Sequence, residues 1–386
     1  MNQIQNSLPI SMVTVATFSL WLSLYFYVPY LPLRALELGA SNTVIGLVIA
    51  SYSIAQVSLR IPIGVTSDLI GKRKPFAVLA LASAALGALW LAYAPTPTQM
   101  FFARSVTGIA GAGWVAVSVL YASYFTAEKT GQAMSRLMFV NGLGLVLATF
   151  VGGVISELWG TNATFLAGVI LGVVGTILLL LAPEPTLQKT EPYSMQSFLE
   201  ILNHPLVLIV SIVGITTQFV SFATSFGFVP IYAEQNGATD ADIGFITTLM
   251  FAMSMVGTLC AVPCARIFGY RGAIVLAACL IALAAFMLPF THTFFGIAFS
   301  QLLNGFGRGL INAVLITLSV LVVAPNKRAT AMGIYQALYA IGMLSGPIIA
   351  GLVADWSGIN TVFFLCTFIS LAGIAFTHLT KMPKVE

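Results

Sequence analysis

Long apolar stretches separated by short polar joints run through the whole chain. Twelve of these stretches hold about 20 or more mostly apolar residues, the length that a helix needs to cross a bilayer. They cover roughly residues 11–33, 44–64, 76–94, 98–122, 133–156, 162–182, 206–232, 242–262, 272–290, 294–323, 330–353 and 359–379. The joints carry turn chemistry, such as "APTPTQ", "GASNT" and "APNKR". The pattern predicts an all-α polytopic membrane protein with twelve transmembrane helices.

The composition narrows the class of protein further. Of 386 residues, 59% are hydrophobic and 7% are charged, whereas a soluble protein carries about 25% charged residues. The net charge of +4 comes without a basic run that interleaves aromatic residues, which argues against a nucleic-acid partner. The sequence shows no phosphate-binding loop, metal-ligand cluster or nucleophile elbow. We therefore expect no cofactor, no bound metal and no enzymatic activity.

Charged joints predict an orientation. One side, the basic face, bears Lys72, Arg73, Lys74, Lys129, Arg136, Lys189, Arg266, Arg271, Lys327, Arg328, Lys381 and Lys384. The other side, the acidic face, bears Glu37, Glu157, Glu234, Asp240, Asp242 and Asp355, with Arg34 as its one base. Cytoplasmic loops are enriched in Lys and Arg. We therefore expect the basic face and both termini to be cytoplasmic, with the protein integral to the plasma membrane.

The two halves of the chain repeat each other at an offset of 198 residues. The segment "AMSRLMFVNGLGLVLATFVGGVISELWG" (133–160) aligns with "AMGIYQALYAIGMLSGPIIAGLVADWSG" (331–358). Matched positions include Pro32 with Pro230, Gly46 with Gly244, Gly144 with Gly342, Gly153 with Gly351, and Glu157 with Asp355. The repeat predicts two pseudo-symmetric six-helix bundles, over residues 1–182 and 206–386, joined by a cytoplasmic linker over 183–205. Such duplicated bundles rock around a central site in secondary transporters.

The joint after the second predicted helix carries a specific motif, "GVTSDLIGKRKP" (64–75). Gly64, Asp68, Gly71, Lys72 and Arg73 fill the pattern G-x-x-x-D-x-x-G-[RK]-[RK], and the chain thereby resembles the major facilitator superfamily. The resemblance implies that this loop is a gate. Its glycines allow a tight turn, and its aspartate can face a helix N-terminus or an arginine of the other half. The alternative is that the basic residues only fix the topology.

The fourth predicted helix contains "RSVTGIAGAGW" (104–114). Arg104 and Gly108 match the superfamily pattern R-x-x-q-G-x-g, while Thr107 replaces the glutamine. In the superfamily's drug/proton antiporters that arginine is associated with proton coupling. With "YVPYLPLRALELGAS" at the end of the first helix, the chain looks most like exporters of this twelve-helix type.

Small residues mark the fifth and eleventh predicted helices, where such exporters carry g-x-x-x-G-P-x-x-G-G. The matching residues are Gly144, Gly152 and Gly153 in the fifth helix and Gly342, Gly346, Pro347 and Gly351 in the eleventh. The fifth helix has Ala148 and Thr149 in place of the Gly-Pro pair. These residues predict close helix packing and a proline kink. A coupling role and packing alone both remain open.

Two arginines are predicted to lie within the membrane. Arg104 belongs to the fourth helix and Arg308 to the middle of the tenth, whereas no Asp or Glu falls near the middle of any predicted helix. A central charge costs about 2.5–3.5 kcal/mol on insertion scales and usually faces a cavity. Polar and aromatic residues on the helices predicted to line this cavity complete the substrate-binding prediction: Tyr25, Asn141, Gln218, Phe222, Asn304, Asn312, Tyr335, Gln336 and Tyr339. An aromatic cavity with few polar groups suits a medium-sized organic solute.

Three functions agree with this pattern. The first is secondary active efflux of small organic or amphiphilic solutes by alternating access, which the motif resemblances favour. The alternative is a permease for a carboxylated or phosphorylated organic anion bound by Arg308. The third is a sensor of the same fold that transports nothing. The expected partners are a small-molecule solute and the lipid bilayer, with a proton or another coupling ion left open, and the expected state is a monomer.

Overall fold

The computed structural model describes residues 7–185, 195–321, 323–324, 328–379 and 382–383. Within these ranges, twelve helices are long and apolar enough to cross a membrane, which confirms the predicted all-α membrane fold. The α-helices are α1 (Ser7–Tyr25), α2 (Leu31–Glu37), α3 (Asn42–Ile70), α4 (Lys74–Tyr93), α5 (Pro97–Ala122), α6 (Thr130–Trp159), α7 (Thr161–Leu181), α8 (Met195–Leu202), α9 (Pro205–Ala223), α10 (Val229–Gln235), α11 (Asp240–Leu259), α12 (Ala261–Met287), α13 (Phe294–Leu321), α14 (Arg328–Ser357) and α15 (Ile359–Phe376). The short helix α8 lies in the segment predicted as the linker.

Two of the crossings are interrupted helices at equivalent places in the repeat. The first crossing joins α1 to α2 through a 3-10 turn at Val28–Tyr30. The seventh joins α9 to α10 through a π-helical turn at Thr224–Phe228. A proline follows each break, where its missing N–H is tolerated at the start of the next helix. The π turn shifts the side chains after it around the helix axis, which is a frequent feature of functional sites.

Glycines with positive φ end helices in both halves, except Gly269, which kinks α12 from within. They form three pairs that obey the repeat offset: Gly39 (φ 82°) with Gly237 (84°), Gly71 (70°) with Gly269 (70°), and Gly160 (80°) with Gly358 (85°). A residue with a Cβ is strained at these angles. The duplication is therefore built into the backbone as well as into the sequence.

The two bundles meet along two helix pairs. In one pair α3 of the first half packs along α14 of the second, and in the other α6 packs along α11. The repeat relates α3 to α11 and α6 to α14, so the interface has pseudo-twofold symmetry. The expected arrangement of two pseudo-symmetric six-helix bundles is confirmed, and the midpoint of their interface is where a central site would lie.

Candidate functional site

Arg308 occupies the middle of α13, 14 residues after Phe294 and 13 before Leu321. At 1.5 Å per residue it is about 20 Å from either end of the helix. The side chain is partly exposed, but its Nε is buried without a hydrogen bond. Its Nη1 lies 3.9 Å from the sulfur of Met250, which is a weak acceptor. Among the described residues the guanidinium thus has no strong acceptor.

Aromatic rings from two other helices enclose this guanidinium. Its Cζ lies 5.4 Å from the ring centre of Phe226 and 5.7 Å from that of Phe251. Tyr25 contacts both rings edge-on, at 5.5 Å from Phe251 and 6.3 Å from Phe226. Phe226 belongs to the π-helical turn and Phe251 to α11. Such rings stabilise a cation by about 0.5–2 kcal/mol, which is less than the loss of its hydration.

These rings belong to a longer series that crosses from one half to the other. The aromatic row comprises Trp114, Trp21, Tyr25, Phe251, Phe226 and Phe222, with successive ring centres 4.9–6.0 Å apart. Trp21, Trp114 and Tyr25 are partly exposed, and the indole Nε1 of Trp21 is buried without a partner. The rings beside Arg308 are buried, and the accessible part of the row is its first-half end, where the Trp21 indole is an unused donor.

The other predicted arginine, Arg104, is packed within the first half. It is 5% exposed, and its Cζ lies 4.4 Å from the ring centre of Tyr52 and 5.8 Å from that of Tyr27. Its Nη1 donates to the hydroxyl of Thr107 at 3.2 Å. All three neighbours belong to the first half, so Arg104 has an aromatic environment separate from that of Arg308.

A third buried arginine, Arg60 of α3, was not among the predicted residues. It is 6% exposed, and its Nη2 donates to Gln56 Oε1 at 2.5 Å and to the carbonyl of Gly111 at 3.4 Å. Its Nη1 lies 3.5 Å from the hydroxyl of Tyr339, on α14 of the other half. The signal was present in the sequence, because "QVSLRIPI" places a charge inside the second predicted helix.

The carboxylates of the described residues lie near the two faces of the bundle. At the acidic face Arg34 and Glu37 form an ion pair of 3.0 Å, the one salt bridge between described residues. The remaining acids there are Glu157, Glu234, Asp240, Asp242 and Asp355, and those toward the basic face are Glu128, Glu184 and Glu200. In the described part of the chain, the membrane centre thus holds three arginines and no carboxylate.

The two asparagines beside Arg308 have different environments. Asn304 is 3% exposed and donates through Nδ2 to Ser225 Oγ at 2.7 Å and to Gln301 Oε1 at 3.2 Å. This buried network lies within the second half, where α13 meets the π-helical turn. Asn312, one turn beyond Arg308, is partly exposed. The predicted pair therefore splits into one structural residue and one accessible residue.

The remaining predicted residues also divide by exposure. Gln218 is 8% exposed with a buried, unpartnered Oε1, and Tyr335 is 1% exposed. Tyr339 is partly exposed and meets Tyr335 edge-on at 5.2 Å. Asn141 and Gln336 are partly exposed as well. Phe251 and Met250 were missed, because nothing in an apolar helix sequence shows which side chains face a partner helix.

Close backbone contacts shut the acidic face. A Cβ built on Gly244 would lie 2.6 Å from Gly153 Cα, and one on Gly46 would collide with the carbonyl of Pro347. A Cβ on Gly351 would collide with the carbonyl of Asn42. The predicted small residues of α6 and α14 fall into two groups. Gly144, Gly152, Gly342 and Gly346 approach helices of their own half, and Gly153, Pro347 and Gly351 approach the other half.

Carboxylates reinforce this closure by accepting from helix N-termini across the interface. Asp355, at the end of α14, accepts the backbone N–H groups of Asn42 and Thr43 at 2.9 Å each. In the other half of the repeat, Glu157 accepts from Ala241 at 3.1 Å. The first turn of a helix has unpaired N–H groups and a partial positive charge, so an anion there is stabilised.

The same helices are uncovered toward the basic face. A Cβ on Gly131 of α6 or Gly333 of α14 would have nothing within 4 Å, and one on Gly64 of α3 would meet only Cγ1 of Val115 at 4.0 Å. The close backbone contacts between the halves therefore lie toward the acidic face. Toward the basic face the halves still meet at Arg60 and Tyr339, 3.5 Å apart.

The loop that carries the sequence motif, residues 64–75, lies at the basic face. The backbone N–H of Arg73 donates to Glu184 Oε1 at 2.6 Å, and the side-chain Nη1 of Arg73 donates to Ser67 Oγ at 2.5 Å. Gly71 has a φ of 70°, and Lys72 is exposed. The side chain of Asp68 lies outside the described residues, so the predicted gate contact of this aspartate stays a prediction.

The protein has twelve membrane helices in two repeated halves, and the interface of the halves is closed at the acidic face. This is the architecture of a secondary transporter with a central site between its halves. The chain belongs to the Major Facilitator Superfamily, whose family model matches residues 13–235 and again 210–386. Members of this family are transporters of small-molecule solutes, so the chain is a multi-pass membrane transporter.

Several known proteins resemble it over nearly their whole length. An uncharacterised MFS-type transporter of Methanocaldococcus jannaschii is 24% identical over 94% of this chain and 95% of its own. Multidrug resistance protein 1 of Bacillus subtilis is 23% identical over 98% of each chain. Among solved structures, a bacterial homologue of the human lysosomal transporter Spinster, inward-facing and occupied, has a TM-score of 0.80. It shares 14% identity and covers 98% of this chain and 97% of that one, which shows a shared fold.

Proposed function

We propose that this protein is an alternating-access exporter of small amphiphilic organic solutes. The observation that supports it most is the aromatic row, which crosses the interface of the halves beside the partly exposed Arg308. A row of rings beside a few polar groups suits a solute that has an apolar body and one polar end. Rocking of the two halves would expose this row to each side in turn.

The conformation supports loading from the basic face. Backbone contacts and two carboxylate caps close the acidic face, whereas Gly131 and Gly333 are uncovered at the other end. Lys and Arg mark the cytoplasmic side of membrane proteins. In a plasma membrane the site would then face the cytoplasm, from which an exporter takes its solute. The similarity to a protein named for multidrug resistance supports the same direction.

A second candidate is a permease for an organic anion, favoured by the environment of Arg308. The guanidinium has a buried Nε without a hydrogen-bond partner, and its neighbours are aromatic rings rather than a carboxylate that would neutralise its charge. Such a group is suited to bind an anion. Arginine binds carboxylate and phosphate through two parallel hydrogen bonds. The two candidates share an amphiphilic anion as a possible solute and differ in the direction of net movement.

Transport by the purified protein in vesicles of known orientation tests both candidates. Three poorly permeant probes carry one aromatic ring each and differ in charge: benzenesulfonate, phenyl glucoside and benzyltrimethylammonium. Accumulation inside vesicles whose basic face is outside supports export, and accumulation of benzenesulfonate alone in the opposite vesicles supports the permease. Movement of none of the probes in either orientation, even into vesicles preloaded with the same unlabelled probe, contradicts both.

Variants of two arginines locate the site in the same assay. Arg308→Gln is expected to slow benzenesulfonate transport at least tenfold, because a lost charged, bidentate contact is worth about 1.5–3 kcal/mol per hydrogen bond. Arg34→Gln is the matched control, since Arg34 is paired with Glu37 on the acidic face. Equal rates for both variants would remove Arg308 from the proposed site.

A further inference from the structure

We infer that the carrier is an obligate anion exchanger, in which Arg308 allows the two halves to pass through the closed intermediate only when an anion occupies the site. The inference rests on the proposed function in that the transported solute carries an anionic group. It adds a rule for the return step: the empty carrier does not reorient, so export of one anion requires entry of another.

The three central arginines differ in what a change of conformation does to them. Arg104 and Arg60 are 5% and 6% exposed, and each donates to a side chain of its own half. Both are buried in this conformation, and Arg60 also lies 3.5 Å from the hydroxyl of Tyr339 in the other half. Arg308 is partly exposed, so it is the central arginine whose hydration changes when the basic face closes.

Closure of the basic face while the acidic face is shut encloses Arg308. The groups around its guanidinium are the rings of Phe226 and Phe251 and the sulfur of Met250. The ring of Tyr25 packs against both phenylalanines and is neutral at physiological pH. None of these groups carries a negative charge. Cation–π contacts offset only part of the hydration free energy that an enclosed, unpaired cation loses.

An anion in the site removes this barrier. A carboxylate, sulfonate or phosphate group can accept two hydrogen bonds from the guanidinium, while the attached apolar body lies along the aromatic row. The enclosed pair is then neutral when the anion has a single charge. Reorientation is therefore fast with an anion bound and slow without one, in both directions. The exchange of two monoanions moves no net charge, so the membrane potential should not drive it.

Counterflow in proteoliposomes tests the exchange directly. Uptake of radiolabelled benzenesulfonate is compared between vesicles that contain unlabelled benzenesulfonate and vesicles that contain none. The same potassium chloride buffer and the same pH are used on both sides, and valinomycin clamps the potential at zero. The expected result is uptake at least tenfold faster into the loaded vesicles. An equal rate in both kinds of vesicle overturns the exchange and leaves the proposed function standing. Absence of uptake in both, together with absence of phenyl phosphate uptake, overturns the proposed function for anions and the exchange with it.

A conformational readout tests the role of Arg308 without any need for transport. Thr248 is buried at the interface near the acidic face, 2.9 Å from Thr149 of the other half. In protein with the four native cysteines replaced by alanine, Thr248→Cys should react with an impermeant maleimide only when the acidic face opens. We expect labelling at least tenfold faster with benzenesulfonate than without it.

Three variants at arginine positions complete this test. Arg308→Gln should label rapidly without an anion, because no unpaired cation has to be enclosed, and Arg308→Lys should keep the dependence on the anion. Arg34→Gln should behave as the parent protein. The inference is overturned if labelling of the parent protein does not depend on the anion. It is also overturned if labelling of Arg308→Gln still depends on the anion.

Discussion

Asp355 Oδ2 accepts the backbone N–H of Thr43 at 2.9 Å and thereby joins the end of α14 to the start of α3 in the other half. The repeat produces the same contact a second time, between Glu157 Oε2 and the N–H of Ala241 at 3.1 Å. Each half thus supplies one acid and one helix N-terminus to its partner. These two equivalent contacts help to close the acidic face, and each must break when that face opens.

Removing the charge of Asp355 should favour opening of the acidic face. Asp355→Asn keeps the shape but weakens the interaction with the N-terminus of α3. For an exposed pair we expect a loss of about 0.5–1 kcal/mol, which is a two- to fivefold shift. Maleimide labelling of Thr248→Cys should rise by this factor.

Asp242→Asn is the matched control for this change. Asp242 also accepts a backbone N–H at the acidic face, but from Thr239 of its own helix start. The variant should leave the labelling rate unchanged. If both variants label at the same rate, the cross-half contact does not hold the face closed.

A methyl group at Gly244 should also prevent tight closure. Its Cβ would lie 2.6 Å from Gly153 Cα and 2.6 Å from the hydroxyl of Tyr30, so the helices must separate. Overpacking costs about 1–3 kcal/mol, and Gly244→Ala should raise labelling of Thr248→Cys at least fivefold. Gly333→Ala, which has nothing within 4 Å, is the neutral comparison. An unchanged rate in Gly244→Ala would show that the face tolerates a wider contact.

The two asparagines beside Arg308 should respond differently to truncation. Asn304→Ala leaves the buried Ser225 Oγ without its donor and removes one of two donors from Gln301 Oε1, so we expect a loss of about 1–3 kcal/mol in stability. Asn312→Ala should have a much smaller effect, because Asn312 is partly exposed. Thermal unfolding of the purified protein in detergent measures both. Equal melting temperatures would contradict a structural role for Asn304.

Arg104 and Tyr52 should be energetically coupled within the first half. The guanidinium lies 4.4 Å from the ring centre, and both side chains are buried. A double-mutant cycle with Arg104→Gln and Tyr52→Leu should give a coupling of about 1–2 kcal/mol in unfolding free energy. In a second cycle, Tyr52→Phe replaces Tyr52→Leu. Because phenylalanine keeps the ring that contacts Arg104, this second cycle should show little coupling energy. Additive effects of Arg104→Gln and Tyr52→Leu would show that the ring does not stabilise the cation.

Much of the fold could be predicted because it depends on local and periodic properties. Apolar length sets the membrane crossings, and the 198-residue offset sets the pseudo-symmetry that reappears in the paired glycines. The contact of Asp355 with Thr43 could not be predicted, although Glu157 and Asp355 were matched in the repeat. A carboxylate at a helix end carries no mark of which distant helix start it will meet.

The candidate site was predicted less completely, for a similar reason. Arg308 was visible as a charge in an apolar helix, and Arg60 could have been found by the same signal. Phe251 and Met250 could not, because apolar side chains that face a site and those that face lipid look alike in sequence. Asn304 and Asn312 lie on opposite sides of Arg308 in the chain, and only packing shows that one is buried in a network.

The sequence by itself determined that the chain is a duplicated bundle of twelve membrane helices with arginines and no carboxylate at its centre, since hydropathy, repeat and charge are properties of the linear chain. The tertiary structure decided which arginine is accessible, which rings surround it and which face is closed. Those features arise from contacts between residues far apart in the chain, such as Tyr25 with Phe251 and Asp355 with Thr43, and such contacts exist only once the two halves have packed.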